Sequence, residues 1–318
     1  MLALTRRSAL RSLAAGAGAV LLVSCGDSST EPNDSNLFST MFVFGASLDD
    51  TGNACNLSAS SCTPAPYATP RVSNGPLYVE LVAAKYGATV TPSRTGGTNY
   101  SYAGARTGAI AGTTQGVPNM NQQVDAYLTG SSTSGRDRAL YVINAATVGN
   151  DITDALVQGI TNPQAPTIIV GAAVANISSI VTRLYAAGGR HFLVLNSTDI
   201  GRTPLVRSAG ATAAAAATAM STQFNAALAT QITSARTQLP GISIYLVDLG
   251  ALTAEVAANP SQFGFTNVTT ACVTGTTACA TPDTYFYWDG FHPSAATGRL
   301  VSARAITALG AARVAVMY

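Results

Sequence analysis

Charge is scarce in this chain. Only 10% of its 318 residues are Asp, Glu, Lys or Arg, and the formal net charge is +2. No basic run stands out, which excludes nucleic acid as a partner. Lysine is almost missing: Lys85 is the only one, and every other cationic side chain is arginine. No glycine-rich phosphate cradle with a lysine or an acidic ribose ligand follows a strand, so no nucleotide cofactor is expected. Histidine is equally sparse, with only His191 and His292, which shortens the search for a general base. Asp49, Asp50, Asp151 and Asp199 are scattered without ligand spacing and without histidine partners. They read as solvated loop carboxylates, and no metal is expected. No internal repeat and no second domain boundary stands out.

Cysteine is limited to five residues. The first, Cys25, falls where a short apolar run ends. Arg6 and Arg7 form a positive leader and Leu13 to Val23 an apolar core too short to span a bilayer. Leu22-Val23-Ser24-Cys25 resembles a bacterial lipobox, which implies a signal peptide over 1–24 and a lipid on Cys25. Thr5-Arg6-Arg7 hints at twin-arginine export. The polar stretch after it makes 25–37 a tether reaching on the order of 20 Å as a coil, and 38–318 the folded domain. Cys55 and Cys62 lie close together, as do Cys272 and Cys279. In an exported protein the favoured pairing is Cys55 with Cys62 and Cys272 with Cys279, each closing a Ser- or Thr-rich loop. A metal site is the alternative.

Apolar runs predict five strands: Met41 to Phe44, Ala88 to Thr91, Ala139 to Ala145, Arg190 to Asn196 and Ile242 to Asp248. Helices are expected over Leu77 to Tyr86, Pro118 to Leu128, Pro166 to Ala187, Ala211 to Leu239 and Ser294 to Gly310. Strands alternating with helices imply an α/β protein: a three-layer α/β/α sandwich around a central, mostly parallel five-stranded sheet. The C-terminal strand ends then gather on one edge, and Ser47, the loop after Ala139 to Ala145 and the Asn196 to Asp199 loop all fall there.

Ser47 follows Met41 to Phe44 and the break at Gly45, at the rim where such sheets keep their chemistry. A serine hydroxyl needs a base to become a nucleophile. His191 opens a strand and reads as structural packing. His292 lies in a turn, and the spacing Asp289-x-x-His292 lets the carboxylate fix the imidazole tautomer while the other ring nitrogen faces Ser47. Activity should then rise with pH as the histidine loses its proton. Tyr285-Phe286-Tyr287-Trp288 either lines an acyl or aryl pocket or packs in the core.

Four stretches in this order, Gly45-Ala46-Ser47, Gly104 in Asn99-Tyr-Ser-Tyr-Ala-Gly-Ala-Arg106, Gly149-Asn150-Asp151 and Asp289-Gly-Phe-His292-Pro, resemble the sequence blocks of the GDSL or SGNH hydrolases. Longer echoes, such as Arg71-Val-Ser-Asn-Gly-Pro76 and Arg190-His-Phe-Leu-Val-Leu-Asn196, resemble the secreted bacterial esterase and phospholipase-like branch. The resemblance implies the SGNH fold and a serine ester hydrolase with the triad Ser47, Asp289 and His292. It also implies an oxyanion hole built from the amides of Ser47 and Gly104 and the side chain of Asn150. Asp151 is expected to tie loops together. The chain departs from the family at Ala46, where a carboxylate usually holds the nucleophile's loop, and at Val148, where glycine is usual. Acyl transfer to another alcohol is the enzymatic alternative. A surface lipoprotein that binds a glycan or lipid without catalysis is the non-enzymatic one. The expected partners are a small-molecule or lipid ester and a membrane reached through the anchor, with the protein a monomer outside the cytoplasm.

Overall fold

The computed structural model describes residues 37–113, 116–130 and 134–316, with side chains followed to residue 310. The proposed signal peptide, Cys25 and the tether through residue 36 lie outside the described residues.

Four strands form the central sheet: β1 (Met41–Phe44), β2 (Leu140–Asn144), β3 (His191–Leu195) and β4 (Ser243–Val247). They lie in sequence order and every pairing is parallel. Their near-continuous apolar sequences suit strands buried on both faces. Side chains alternate between two cores. Phe44, Tyr141, Ile143, Phe192 and Val194 point to one face, and Met41, Val43, Leu140, Val142, Leu193 and Leu195 to the other.

Parallel strands in sequence order need right-handed crossovers, which put the crossing helices on one side. That face carries α3 (Met120–Gly130), α4 (Val148–Gly159), α5 (Ala165–Ala186) and α7 (Ala211–Gln238), with the short α6 (Pro204–Ser208) leading into α7. The other face is closed by α2 (Tyr78–Lys85), α8 (Leu249–Ala258) and the C-terminal α9 (Ala295–Val316). Each large apolar side chain buried this way contributes about 1.5–3 kcal/mol. α9 packs against α2 and β4, and the turn just before it is tied to the segment leading into α2, where Ser73 Oγ donates to Pro293 O at 3.0 Å. Ser294 caps α9, its Oγ accepting the Thr297 N–H at 3.3 Å.

The sheet has four strands rather than the five expected. Ala88 to Thr91 forms no strand. Pro92, directly after it, has no N–H to donate to a ladder. The position beside β1 is taken instead by an irregular segment: Val43 N–H donates to Thr98 O at 3.1 Å and Tyr100 N–H to Val43 O at 2.8 Å. The side chain of Asn99 then bonds into the loop after β1, at Asp49 O and Thr51 Oγ1, so the pairing stops at one bridge. Among the described residues, the long α4 and α8 and the short α6 and α1 (Asn53–Leu57) stand where no helix was expected.

Both disulfides pair as expected, Cys55 with Cys62 and Cys272 with Cys279. The first ties α1 (Asn53–Leu57) to the loop that follows it. The second brackets a small hairpin of β6 (Val273–Thr274) and β7 (Thr277–Ala278), beside β5 (Asn267–Ala271), which pairs with β8 (Tyr285–Tyr287). Cys272 N–H donates to Tyr287 O at 3.1 Å and Val273 N–H to Trp288 O at 2.8 Å. That hairpin holds the segment leading into Asp289.

Candidate active site

Directly after β1 the chain needs glycine at Gly45 because of one close approach. A Cβ there would lie 2.2 Å from Asp49 Oδ2. The peptide is also clamped from α3: Gly45 N–H donates to Gln123 Oε1 at 3.0 Å, and Gln123 Nε2 donates back to Gly45 O at 2.9 Å. Ser47 emerges from this clamp nearly buried.

The histidine that reaches it is His292. Its Nε2 lies 2.9 Å from Ser47 Oγ. Its Nδ1 lies 2.8 Å from Asp289 Oδ2 and 3.0 Å from Oδ1. The Asp289-x-x-His292 turn is held by its own carboxylate, because Oδ1 accepts the N–H groups of Phe291 and His292, both at 2.7 Å. Asp289 is largely buried, which alone would favour the neutral acid. The hydrogen bond and charge of His292, with those two N–H donors, outweigh burial and bring its pKa down to about 2. It is therefore an anion across the neutral range and keeps Nδ1–H pointed inward. His191 plays no part. It sits at the opposite, N-terminal end of β3, stacked on Tyr245 with Nδ1 3.2 Å from its hydroxyl, and burial lowers its pKa.

Gly104 and Asn150 come from a loop and a helix that are bound to each other. Gly104 adopts φ +85°, open only to glycine without strain. Arg106 pairs with Asp154 at 2.8 Å, Thr107 gives both its N–H and its hydroxyl to Asp151, and Asn150 Nδ2 donates to Ala105 O at 2.7 Å. Asp151 was expected to tie loops together; it lies in the first turn of α4 and ties the Gly104 loop to that helix. Asn150 stands in the first turn of α4 rather than in a loop, its amide plane fixed by the Ala105 bond. On the other side, Ala46 packs against Tyr102 and Ala105, which flank Gly104. Val148 is wholly buried at the start of α4, so it fills core space where the family usually has glycine.

Three of the four acidic residues read as solvated are buried: Asp49, Asp50 and Asp151, at 0%, 2% and 1% exposure. Each is matched by donors. Asp50 receives the N–H groups of Gly52, Asn53 and Ala54, and its Oδ2 also accepts from Ala103 N at 2.8 Å. It joins the Ser47 loop to the Gly104 loop. Asp49 accepts from Tyr78 Oη at 2.5 Å and Asn144 Nδ2 at 2.7 Å, joining the same loop to α2 and β2. The rigidity that Ala46 cannot provide is supplied from these two positions. Asp199 is different; it is partly exposed and caps a short 3₁₀ turn.

Burial pushes Asp49 up to about 7 and Asp151 to about 6, against their hydrogen bonds, and raises Asp50 as well. A carboxyl whose folded pKa is raised binds its proton more tightly in the folded state. Folding stability therefore falls as pH rises from about 4 to about 7. The unfolding temperature is expected to drop between pH 5 and 7.5. Asp49→Asn, which has no charge to bury, should flatten that slope; equal slopes in both proteins would contradict the assignment.

Ser47 opens onto a narrow, mostly apolar pocket with a cavity volume of about 80 Å³. Leu77, Leu195, Leu249, Leu252, Phe286 and Val301 form much of its wall, and Asn150 also lines it. Of the aromatic stretch, Phe286 and Tyr287 line this pocket, while Trp288 is buried beside Tyr67.

Fold and site define a class of α/β/α proteins with a hydrogen-bonded Ser–His–Asp chain at the C-terminal edge of a parallel sheet. Residues 41–305 match the family model of the GDSL-like lipases/acylhydrolases, and the chain belongs to that family. GDSL esterase/lipase 5 of Arabidopsis thaliana is 25% identical over 312 residues, covering 82% of this chain and 80% of its own length. GDSL esterase/lipase At4g16230 of the same plant is 25% identical over 319 residues, covering 84% and 86%. Among solved structures, the lipase Lip_vut3 from a goat rumen metagenome superposes with a TM-score of 0.48 at 12% identity, over 85% of this chain and 96% of its own. The two curated relatives are plant proteins and do not carry the expectation of a bacterial phospholipase-like branch.

Proposed function

We propose that this protein hydrolyses carboxylic esters through an acyl-enzyme on Ser47. The observation that carries the reading is the continuous chain from Ser47 Oγ through His292 to Asp289, opening on an apolar pocket. His292 Nε2 takes the Oγ proton as the oxygen attacks the ester carbonyl. The tetrahedral oxyanion is held by the N–H groups of Ser47 and Gly104 and by Asn150. His292 returns the proton to the leaving alcohol, and water, activated the same way, releases the acid and frees Ser47. Buried Asp49 and Asp50, which hold the nucleophile's loop, favour this reading over a catalytically inactive binding protein.

The pocket wall suits the acyl side of the ester. A p-nitrophenyl ester series from acetate to decanoate tests this. Val301→Trp, which narrows the pocket, is expected to lower kcat/KM for octanoate by about 10- to 100-fold and to leave acetate little changed, since each buried methylene contributes about 0.8 kcal/mol. An effect independent of chain length would refute the pocket assignment, and no hydrolysis of any ester would refute the function. An added alcohol that captures the acyl group ahead of water would identify acyl transfer instead.

We further propose that the domain works outside the cytoplasm as a bacterial lipoprotein anchored through Cys25. The lipobox-like Leu22-Val23-Ser24-Cys25 and the two disulfides support that compartment.

A further inference from the structure

We infer that Tyr67 is a positioning residue for Asp289 and His292, carried to them by a strap that runs from Cys62 to Pro76. The inference rests on the reading of Ser47, His292 and Asp289 as the reacting set. Tyr67 is 222 residues from Asp289 in sequence, yet its hydroxyl donates to Asp289 Oδ2 at 2.8 Å. That is the same oxygen that His292 Nδ1 approaches at 2.8 Å. One carboxylate oxygen therefore serves two donors, one on the base and one on the strap. The ring of Tyr67 stands edge-on to Trp288, with centroids 6.0 Å apart, so the hydroxyl is held in place by packing as well as by its hydrogen bond.

The strap is built to hold that position. Cys62 ties its start to α1, just beyond the Ser47 loop. Within it, Tyr67 N–H bonds Pro64 O at 3.0 Å, Ala68 N–H bonds Ser73 O at 2.8 Å, and Thr63 Oγ1 bonds Arg71 O at 2.9 Å. Arg71 turns away to Glu80 on α2, at 2.6 Å. Two further bonds fasten the strap across the turn: Ser73 Oγ donates to Pro293 O at 3.0 Å, and Ala295 N–H donates to Asn74 Oδ1 at 2.7 Å. The nucleophile's loop and the acid–base turn are thus joined through one segment, by bonds independent of the Ser47–His292 contact.

The chemistry follows from the shared oxygen. The phenol takes up part of the charge on Oδ2 and fixes the carboxylate's rotation. Without it, the full charge faces Nδ1–H and favours the protonated imidazole, which cannot act as base. The titratable groups facing Asp289 are Tyr67 from the strap and His292 from its own turn; Arg71, the strap's cation, is engaged by Glu80. Loss of the hydroxyl should therefore lower kcat and move the acid limb of the pH profile upward. Tyr67 is not among the described residues lining the pocket, so substrate binding should be left alone.

The test compares wild type, Tyr67→Phe, Ser73→Ala and Ser47→Ala on p-nitrophenyl butyrate from pH 4.5 to 9, with unfolding temperatures. Tyr67→Phe keeps the ring against Trp288 and removes only the hydroxyl. It is expected to lose about tenfold in kcat, the scale of one hydrogen bond to a charged group, with KM within about twofold. Its acid limb should rise by about half a pH unit. Ser73→Ala, which loosens the strap without touching Asp289, should keep the acid limb of wild type even where it unfolds earlier. A Tyr67→Phe enzyme with an unmoved acid limb, whatever its stability, overturns the inference while a dead Ser47→Ala upholds the reacting set. Activity surviving in Ser47→Ala overturns the reacting set itself, and the inference with it.

Discussion

Ser47→Ala is expected to lower kcat on an activated ester by about 10⁵- to 10⁶-fold, the scale seen when a serine nucleophile is removed from such a set. The geometry makes the loss this large because no neighbour can substitute. Ser47 Oγ is the group His292 Nε2 touches, at 2.9 Å, and it sits nearly buried where Gly45 is clamped on both sides by Gln123. His292→Ala should cost about as much. The double variant should be no worse than either single one, because proton acceptor and nucleophile act as one unit. KM is expected to change little, since the apolar wall of the pocket remains. Steady-state kinetics on the three variants, with circular dichroism to confirm folding, check this; losses that multiply would mean the two residues act separately.

Asn150→Ala is expected to lower kcat by about 10²- to 10³-fold with KM nearly unchanged, as for other oxyanion donors. One N–H of its amide is spent on Ala105 O at 2.7 Å. That bond fixes the amide plane, and in the proposed reaction the second N–H is the oxyanion donor, on a residue that lines the pocket. The donor strengthens as charge builds on the substrate oxygen, so the effect belongs to kcat rather than to binding. Asn150→Ala also removes a tie to the Gly104 loop, but Arg106–Asp154 and Thr107–Asp151 still hold it. A matched loss in unfolding temperature with kcat intact would show that the residue only braces the loop.

Much of this arrangement was legible in the chain itself, for local reasons. The four sheet strands are short apolar runs, the disulfide partners lie seven residues apart, and Asp289 and His292 meet within one turn. What was hidden depends on distant parts of the chain. α4 starts straight from β2 through a 3₁₀ turn, with no side-chain cap at Thr147, so Asn150 read as loop. Asp49 and Asp50 look like surface carboxylates because Tyr78 and Asn144, the side-chain donors to Asp49, and Ala103, which joins the local N–H donors of Asp50, lie far along the sequence. The segment beside β1 alternates small polar and aromatic residues, and Asn99 gives its side chain to the loop; nothing in Asn99-Tyr-Ser-Tyr102 marks a sheet edge. Tyr67 carries no local signal at all. Its partner is at the other end of the domain, joined to it by the fold alone.

The most direct test of the central claim is covalent labelling of the purified protein with a fluorophosphonate, read by intact mass and peptide mapping. The account predicts one adduct, on Ser47, formed faster as pH rises and absent from both Ser47→Ala and His292→Ala. A folded wild-type protein that takes no label, or an adduct that persists in Ser47→Ala, would contradict it.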